Sequence, residues 1–232
     1  MRRTDEGSAC RLGIKRMKQN KTLCWCRRIV FYVIGAVLLA VGLTLNTKTG
    51  LGTAPIISTP FAISQLWGLN FAGCVFTVYT IMTLLQFILK REWRIFLQIP
   101  FSVVFSSLLN VLGTVLDFHY TQLWQNLLLL AAAIVFTAVG VSMMVNMKLI
   151  ANPADGFANA VGELLGKGMG FGKNTVDLSF VAITVVLTLA VSGHIIAIGL
   201  GTLISMIGVG RVIALFNHFC QEKMCRMAGL NQ

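Results

Sequence analysis

The feature that most constrains this chain is the length of its stretches without charge. Between positions 29 and 89 the only ionisable residue other than tyrosine and cysteine is Lys48, and between 95 and 147 there are only Asp117 and His119. A helix of a soluble protein needs a polar face for water, and such stretches supply none. Only 12% of the residues are charged, against about a quarter in a soluble domain. The sequence therefore indicates an all-α integral membrane protein.

Six segments are long and apolar enough to cross a bilayer, since about 20 helical residues cover ~30 Å of hydrocarbon. They lie at roughly 29–47, 71–89, 95–116, 122–147, 174–192 and 195–219. Two further apolar stretches, near 54–67 and 154–165, are only 12 to 14 residues long. That length is typical of re-entrant or interfacial segments.

The distribution of Lys and Arg decides between eight spans and six, because cytoplasmic loops carry the excess of positive charge. If both short stretches crossed, Lys48, Lys148 and the basic residues at 90–94 would lie outside. The 117–121 loop, which has no Lys or Arg, would then lie inside. If neither crosses, nearly all of the positive charge is cytoplasmic. We therefore predict six transmembrane helices, one short re-entrant helix in each half, and cytoplasmic N- and C-termini.

The N-terminal segment 1–28 contains nine of the nineteen Lys and Arg residues, and the net charge is +11. Such a segment can bind nucleic acid, read anionic lipids or act as a topology signal. No zinc spacing, RNP motif or recognition helix accompanies it, so we expect no nucleic-acid partner. We interpret it as a basic cytoplasmic segment near anionic lipid headgroups, followed by a membrane domain (29–219) and a cytoplasmic tail (220–232).

The two halves of the membrane domain share an order of features. A shift of 98 positions aligns Ala40-Val41-Gly42 with Ala138-Val139-Gly140 and Pro55 with Pro153. Each half contains a long span, a proline-led short helix, a break of small residues and two more spans. Repeat 1 covers about 29–116 and repeat 2 about 122–219. Because each repeat has three spans, the second inserts upside down, which gives a 3+3 inverted repeat of the kind found in many transporters.

The two short helices form the predicted solute site, because interrupted apolar segments at matching positions mark the sites of such transporters. If they enter from opposite faces, their N-termini meet near the membrane centre, where free amides suit a polar or anionic group. The alternative is two amphipathic helices lying on the surface. Prolines suit the first helical turn, and Thr53 and Asn152 are predicted N-caps. The predicted substrate-binding residues are Gly52, Thr53, Pro55, Asn152, Pro153 and Asp155.

Three charged residues within or beside apolar segments are further candidates. Asp155 falls in the first turn of the second short helix, where a carboxylate costs several kcal/mol unless it is hydrated, paired or protonated. Its alternative role is a favourable charge at a helix N-terminus. Asp177 and Arg211 are expected near the cytoplasmic side as an ion pair that joins two helices. The glycine-rich stretch 166–173 is interpreted as a flexible linker.

Nothing in the sequence supports catalysis or metal binding. No single segment contains a nucleophile beside a base, so we expect no enzyme. Of the six cysteines, Cys24 and Cys26 form a Cys-x-Cys pair without a second pair at metal-binding distance. We expect no metal and no cofactor.

Two glycine-rich motifs resemble a known family. Gly50-Leu51-Gly52-Thr53-Ala54-Pro55 follows the first span, and Ile198-Gly199-Leu200-Gly201-Thr202-Leu203-Ile204 opens the last. In these places the sequence resembles the YczE/YyaS/YitT-like bacterial membrane protein family over about residues 29–219. The resemblance implies a multi-pass protein of the bacterial cytoplasmic (inner) membrane whose biochemical role is largely unassigned. Family members often carry an acidic residue two positions after the first proline, where this chain has Ile57.

Three functions fit these features. The first is a secondary transporter or permease for a small polar or anionic solute, the second a passive half-helix channel, and the third a non-transporting scaffold or regulatory protein. The same features are compatible with a homo-oligomer.

Overall fold

Eight α-helices make up most of the described part of the chain. The computed structural model describes residues 5–118, 120–167 and 169–230, and side chains only from Cys24 onward, without those of 119, 168 and 169. Within this part there are no strands, and a 3-10 helix (Trp93–Leu97) leads into the fourth helix. The helices are α1 (Asp5–Lys48), α2 (Pro55–Trp67), α3 (Phe71–Lys90), α4 (Gln98–Val115), α5 (Leu123–Asn146), α6 (Pro153–Leu164), α7 (Met169–Ser192) and α8 (Leu200–Met227).

Six of these helices are long and apolar enough to span a membrane, which confirms the predicted number of spans. They are α1 from Cys24, α3, α4 with its preceding 3-10 turn, α5, α7 and α8. The chain is therefore a multi-pass membrane protein. Three boundaries of α7 and α8 differ from those predicted, since α8 also continues to Met227, eight residues beyond the predicted end of the last span. Residues 169–173 belong to α7 and not to a linker, and α8 begins only at Leu200 because Gly193 and Ala197 have positive φ angles that interrupt the helix.

The short helices α2 and α6 begin at Pro55 and Pro153, as predicted. The expected N-caps differ. Ala54, and not Thr53, occupies the N-cap of α2, and Asn152 stands at the N-cap of α6 without a capping hydrogen bond. Both helices start in the interior, because their first residues belong to one buried apolar cluster that also includes Tyr79 of α3. α2 packs against α7, and α6 packs against α3.

The closest helix pair is α1 with α5, and glycines make the approach possible. A Cβ on Gly42 of α1 would lie 2.5 Å from the backbone nitrogen of Thr137 and 2.8 Å from the carbonyl oxygen of Ala133. A Cβ on Gly140 of α5 would lie 2.5 Å from the nitrogen of Leu39 and 2.6 Å from the carbonyl oxygen of Gly35. Small residues allow membrane helices to gain van der Waals contact in this way. The two helices therefore form the central support of the fold.

Ion pairs and hydrogen bonds join the ends of the helices. At one end, Lys48 Nζ lies 2.9 Å from Asp117 Oδ1, beyond α4. Elsewhere, the Lys90 ammonium at the end of α3 lies 2.9 Å from the Glu163 carboxylate in the last turn of α6. The Arg28 guanidinium donates to the carbonyl oxygen of Met147, just beyond α5, at 2.7 Å.

The basic N-terminal segment is helical from Asp5 and continues into the first span. Trp25 lies under the Arg28 guanidinium, 4.8 Å from the ring centre. Most of the basic side chains precede Cys24 and lie outside the described residues. Their expected contact with anionic headgroups therefore stays a prediction.

Candidate functional site

A buried polar cluster surrounds the first turn of α6, and we call it the polar centre: Tyr79 and Gln86 of α3, Gln98 of α4, Asn152, Asp155 and Gly156 around the start of α6, and Lys173 and Asp177 of α7. Asp155 is 4% exposed and Asn152 is also 4% exposed. The Asn152 amide donates a long hydrogen bond of 3.5 Å to Asp155 Oδ2. The cluster is assembled from four helices because α6 packs between α3 and α7.

Glycine at position 156 lets two glutamine amides approach α6. A Cβ at this position would lie 2.7 Å from Gln86 Oε1 and 2.8 Å from Gln98 Nε2. Both glutamines are buried, at 5% and 4% exposure. The backbone at Gly156 is therefore in contact with amide groups from α3 and α4, directly beside Asp155.

Four buried oxygen atoms of the polar centre have no hydrogen-bond partner within the described chain. They are the Tyr79 hydroxyl, Gln86 Oε1, Gln98 Oε1 and Asn152 Oδ1. A buried polar atom without a partner costs about 1–3 kcal/mol, so native proteins rarely keep several together. Such a group of atoms is expected where a bound molecule or water supplies the missing bonds.

The charges of the polar centre come from two carboxylates and one ammonium. Lys173 Nζ lies 3.4 Å from Asp177 Oδ2, four residues along α7. Lys173 also interacts electrostatically with Asp155. The structure thus pairs Asp177 with Lys173 in place of the expected Arg211. The physical reason is that α7 starts at Met169, which puts Lys173 one helical turn from Asp177 on the same face.

Arg211 lies on the exposed side of α8. It lines a cavity of about 620 Å³ between α7 and α8, together with Lys173. Both cations therefore line the same cavity, while the Asp177 carboxylate is paired with Lys173.

Gly52 and Thr53 lie in a different place, against the loop that precedes α8. The Thr53 backbone nitrogen donates to the carbonyl oxygen of Ala197 at 2.8 Å, and the Gly201 nitrogen donates to that of Leu51 at 2.8 Å. A Cβ on Gly52 would lie 2.5 Å from the Gly199 nitrogen. The identical sequences Gly50-Leu51-Gly52-Thr53 and Gly199-Leu200-Gly201-Thr202 thus interlock, and we call this contact the glycine lock.

The structure divides the predicted site residues into two groups. Asn152, Pro153 and Asp155 belong to or adjoin the polar centre, whereas Gly52 and Thr53 belong to the glycine lock. No hydrogen bond or ion pair joins Thr53 to Asn152 or Asp155, all of which are described. The lock borders its own open pocket of about 430 Å³. The starts of α2 and α6 meet only through apolar residues, among them Ala54 and Ala154 in one buried cluster.

Sequence reasoning missed five members of the polar centre, which are Tyr79, Gln86, Gln98, Gly156 and Lys173. Gln86 and Gln98 are amides inside or beside otherwise apolar spans, which could have marked them as functional candidates. Lys173 was assigned to a glycine-rich linker, so its place one turn into α7 was not foreseen. The missing information was which helix faces α6.

Glu163, in the last turn of α6 and outside the six spans, carries a carboxyl group with a shifted pKa. The hydrogen bond from Lys90 Nζ to Glu163 Oε1, at 2.9 Å, lowers the pKa of the Glu163 carboxyl. Asn159, one turn earlier on α6, also donates to this oxygen at 2.7 Å. The last turn of α6 is thereby fastened to the end of α3.

Comparison with known proteins identifies the family but no activity. The model of a family of unknown function, DUF6198, matches residues 26–218. The uncharacterized protein YyaS of Bacillus subtilis (strain 168) is 22% identical over 191 residues, which cover 82% of this chain and 92% of YyaS. This relative agrees with one name in the resemblance noted from the glycine motifs, while the YczE and YitT names stay predictions. No solved structure matches the chain.

Proposed function

The chain is a multi-pass membrane protein that belongs to DUF6198, a family of unknown function, and we propose that it is a secondary transporter or permease that binds a small polar solute at the polar centre. The observation that carries this proposal is the set of four unpartnered buried oxygens around Asp155. Ionisable residues inside membrane spans usually mark solute or ion pathways. The proposal involves binding and translocation, with no bond-making step and no cofactor.

The charges of the polar centre favour a solute with a positive charge or several hydrogen-bond donors. Two carboxylates and one ammonium leave a formal charge of −1, and the unpartnered atoms are all oxygens. The three amide oxygens accept hydrogen bonds or coordinate cations, and the Tyr79 hydroxyl can accept as well as donate. Small amines, amides and monovalent cations are therefore better candidates for this site than the anions that we also considered from the sequence.

We further propose that α6 is re-entrant. Its first turn lies beside Tyr79, and its last turn is bound to Lys90 at the end of the same helix α3. These two positions are 11 residues apart, which corresponds to about 16 Å along a helix. Helix α6 thus runs beside roughly half of a membrane-spanning helix. This supports a segment that dips to the interior and returns, and not one that lies flat on the headgroups.

Reciprocal contacts support the proposed 3+3 inverted repeat. Gly42 approaches residues 137 and 133, and Gly140 approaches residues 39 and 35. Adding 98 to 35, 39 and 42 gives 133, 137 and 140, which is the offset that aligns the two halves. Residues that contact each other's equivalents are the mark of a two-fold axis. The packing of α2 on α7 and of α6 on α3 has the same reciprocity.

We place the protein in a bacterial cytoplasmic membrane with both termini inside. The distribution of Lys and Arg supports this orientation, and the relative YyaS comes from a bacterium.

Uptake into liposomes tests the proposed function. Purified protein should take up at least one solute from a panel of small amines, amides and monovalent cations, with small anions included for comparison. Asp155→Asn should lower the initial rate at least tenfold, because it removes a charge of the polar centre. Glu163→Gln on the same helix is the matched control and should stay within about twofold, since its ion pair with Lys90 is exposed.

The same assay distinguishes the alternatives. A carrier shows saturation and faster labelled uptake when the liposomes hold unlabelled solute, whereas a channel shows flux linear in concentration. Two results together would contradict the proposal and favour a scaffold or regulatory protein. The first is the absence of flux for every solute tested, and the second is a folded Asp155→Asn variant that equals wild type in cellular assays.

A further inference from the structure

The cavity between α7 and α8 has a charged wall and an apolar wall, and we call it the α7–α8 cleft. Its volume is about 620 Å³. Lys173 of α7 and Arg211 of α8 supply two positive charges, and no acidic residue is among the described residues that line it. Leu178 and Ile207 form part of the apolar wall. The cleft lies beside the polar centre and shares Lys173 with it, but its other residues are different.

Arg211 is the strongest sign that the cleft has an occupant. It is exposed in the middle of an apolar helix and has neither a hydrogen bond nor an ion pair with any residue that the structure describes. The next lysine or arginine along α8 is Lys223, about 18 Å away along the helix axis. An arginine inside a span costs several kcal/mol unless it meets water, a carbonyl group or an anion. The guanidinium therefore needs a partner from outside the described part of the chain.

Lys173 can share its ammonium with such a partner. Its Nζ lies 3.4 Å from Asp177 Oδ2, and an ammonium has three N–H donors. A third cation stands at the edge of the cleft, because Lys167 Nζ lies 3.9 Å from the ring centre of Phe171, which lines it. Three cations around one cavity favour an oxyanion, and arginine suits phosphate because its planar fork can donate two parallel hydrogen bonds.

The apolar wall indicates where this anion comes from. Leu178 and Ile207 are 60% and 61% exposed, so the cleft is continuous with helix faces that meet the acyl chains of the bilayer. A free anion would use only the charged wall, whereas a phospholipid would use both. Charge complementarity and this open apolar rim therefore favour a lipid.

We propose that the α7–α8 cleft binds the phosphate group of an anionic phospholipid between Arg211 and Lys173, with an acyl chain along Leu178 and Ile207. The test of this site does not depend on the proposed transport function, because it changes Arg211, which is not part of the polar centre. Its occupant would hold α7 and α8 together where they do not pack directly.

Native mass spectrometry of the purified protein tests the site, with phosphatidylglycerol and phosphatidylcholine as probes. Wild type should retain one phosphatidylglycerol more tightly than phosphatidylcholine. Arg211→Gln should weaken that binding about tenfold or more, since a hydrogen bond to a charged group contributes about 1.5–3 kcal/mol. Arg211→Lys should restore part of it. Lys223→Gln, an exposed basic residue on the same helix, is the matched control and should bind like wild type.

Three results would overturn the proposal. The first is equal phosphatidylglycerol retention by wild type and folded Arg211→Gln. The second is displacement of the lipid by millimolar inorganic phosphate, which would make the cleft a site for free anions. The third is a lipid-free dimer that Arg211→Gln dissociates, which would mean that a second copy covers the cleft. All three results are measured as the mass of the intact protein with its bound lipid or second copy. Loss of lipid binding is therefore distinguishable from failure of transport.

Discussion

Substitution of Gly140 by alanine tests how closely α1 and α5 pack. The added Cβ would lie 2.5 Å from the Leu39 nitrogen and 2.6 Å from the Gly35 oxygen, whereas non-bonded atoms normally stay about 3.5 Å apart. The clashing atoms are backbone, so no side chain can rotate away. The two helices must therefore separate by roughly 1 Å.

The cost of this separation can be worked from the contacts around Leu39, which is 2% exposed. A buried leucine makes about 40–60 contacts of ~0.1–0.2 kcal/mol each, and a gap of 0.5–1 Å forfeits a quarter to a half of a contact. If about half of these contacts face α5, Leu39 alone loses about 1–2 kcal/mol. Overpacked cores lose about 1–3 kcal/mol, while alanine regains up to about 1 kcal/mol over glycine in a helix. Subtracting this gain leaves an expected net loss of about 0.5–2 kcal/mol.

Equilibrium unfolding in mixed micelles with increasing dodecyl sulfate measures this loss. Gly113→Ala in α4 is the matched control, because a Cβ there meets nothing within 4 Å, and it should be neutral or slightly stabilising. Gly42→Ala should resemble Gly140→Ala. The double variant should lose less than the sum, since the first Cβ already separates the helices. Equal free energies of unfolding for Gly140→Ala and Gly113→Ala would refute the reasoning.

Three further predictions follow from the same geometry. Lys173→Met should lower the free energy of unfolding by about 3–5 kcal/mol, because it leaves buried carboxylates without their cation. Lys90→Met, which removes the exposed ion pair with Glu163, should lower it by no more than about 1 kcal/mol. A thermal-shift comparison in detergent that ranks the two equally would contradict this. Gly52→Ala should give no folded protein in size-exclusion chromatography, because the φ of +104° at this position and the nearby Gly199 nitrogen both exclude a Cβ. The control Gly50→Asn should fold, since position 50 has a φ of +65° and open space around it. The Lys90–Glu163 pair should stabilise the protein at pH values above the ordinary pKa of glutamate, and this stabilisation should be lost as the pH falls through the lowered pKa of folded Glu163. Glu163→Gln should therefore remove this part of the acid sensitivity. Identical acid-unfolding titrations of wild type and Glu163→Gln would contradict the prediction.

The spans and the short helices could be predicted from the sequence because each depends on local information. Length and hydropathy define a spanning helix, and proline at positions 55 and 153 sets the first turn of each short helix. The ends of α7 and α8 were harder to predict. The start of α8 depends on the positive φ angles at Gly193 and Ala197. The start of α7 contains glycines at 170 and 172, a pattern that in the sequence is typical of a flexible linker.

The candidate site could be predicted only in part, because its composition depends on which helices touch. Asp155 was identified by the cost of a carboxylate in an apolar segment. Gln86, Gln98 and Lys173 reach it only through the packing of α6 between α3 and α7. Gly52 and Thr53 were grouped with Asp155 by repeat symmetry, but the glycine lock holds them against the loop before α8.

The central claim is that α2 and α6 each enter and leave the membrane on one side, which puts Asp155 in the interior. Single cysteines in a variant without native cysteines, labelled by a membrane-impermeant maleimide on cells and on inverted vesicles, measure this directly. Cysteines at Ala151 and Leu165, which flank α6 and are exposed, should both react only from the cytoplasmic side. Cysteines at Gly50 and Leu69, which flank α2, should both react only from outside. Labelling of the two ends of either helix from opposite sides would mean that it crosses completely, and the proposed site would not exist.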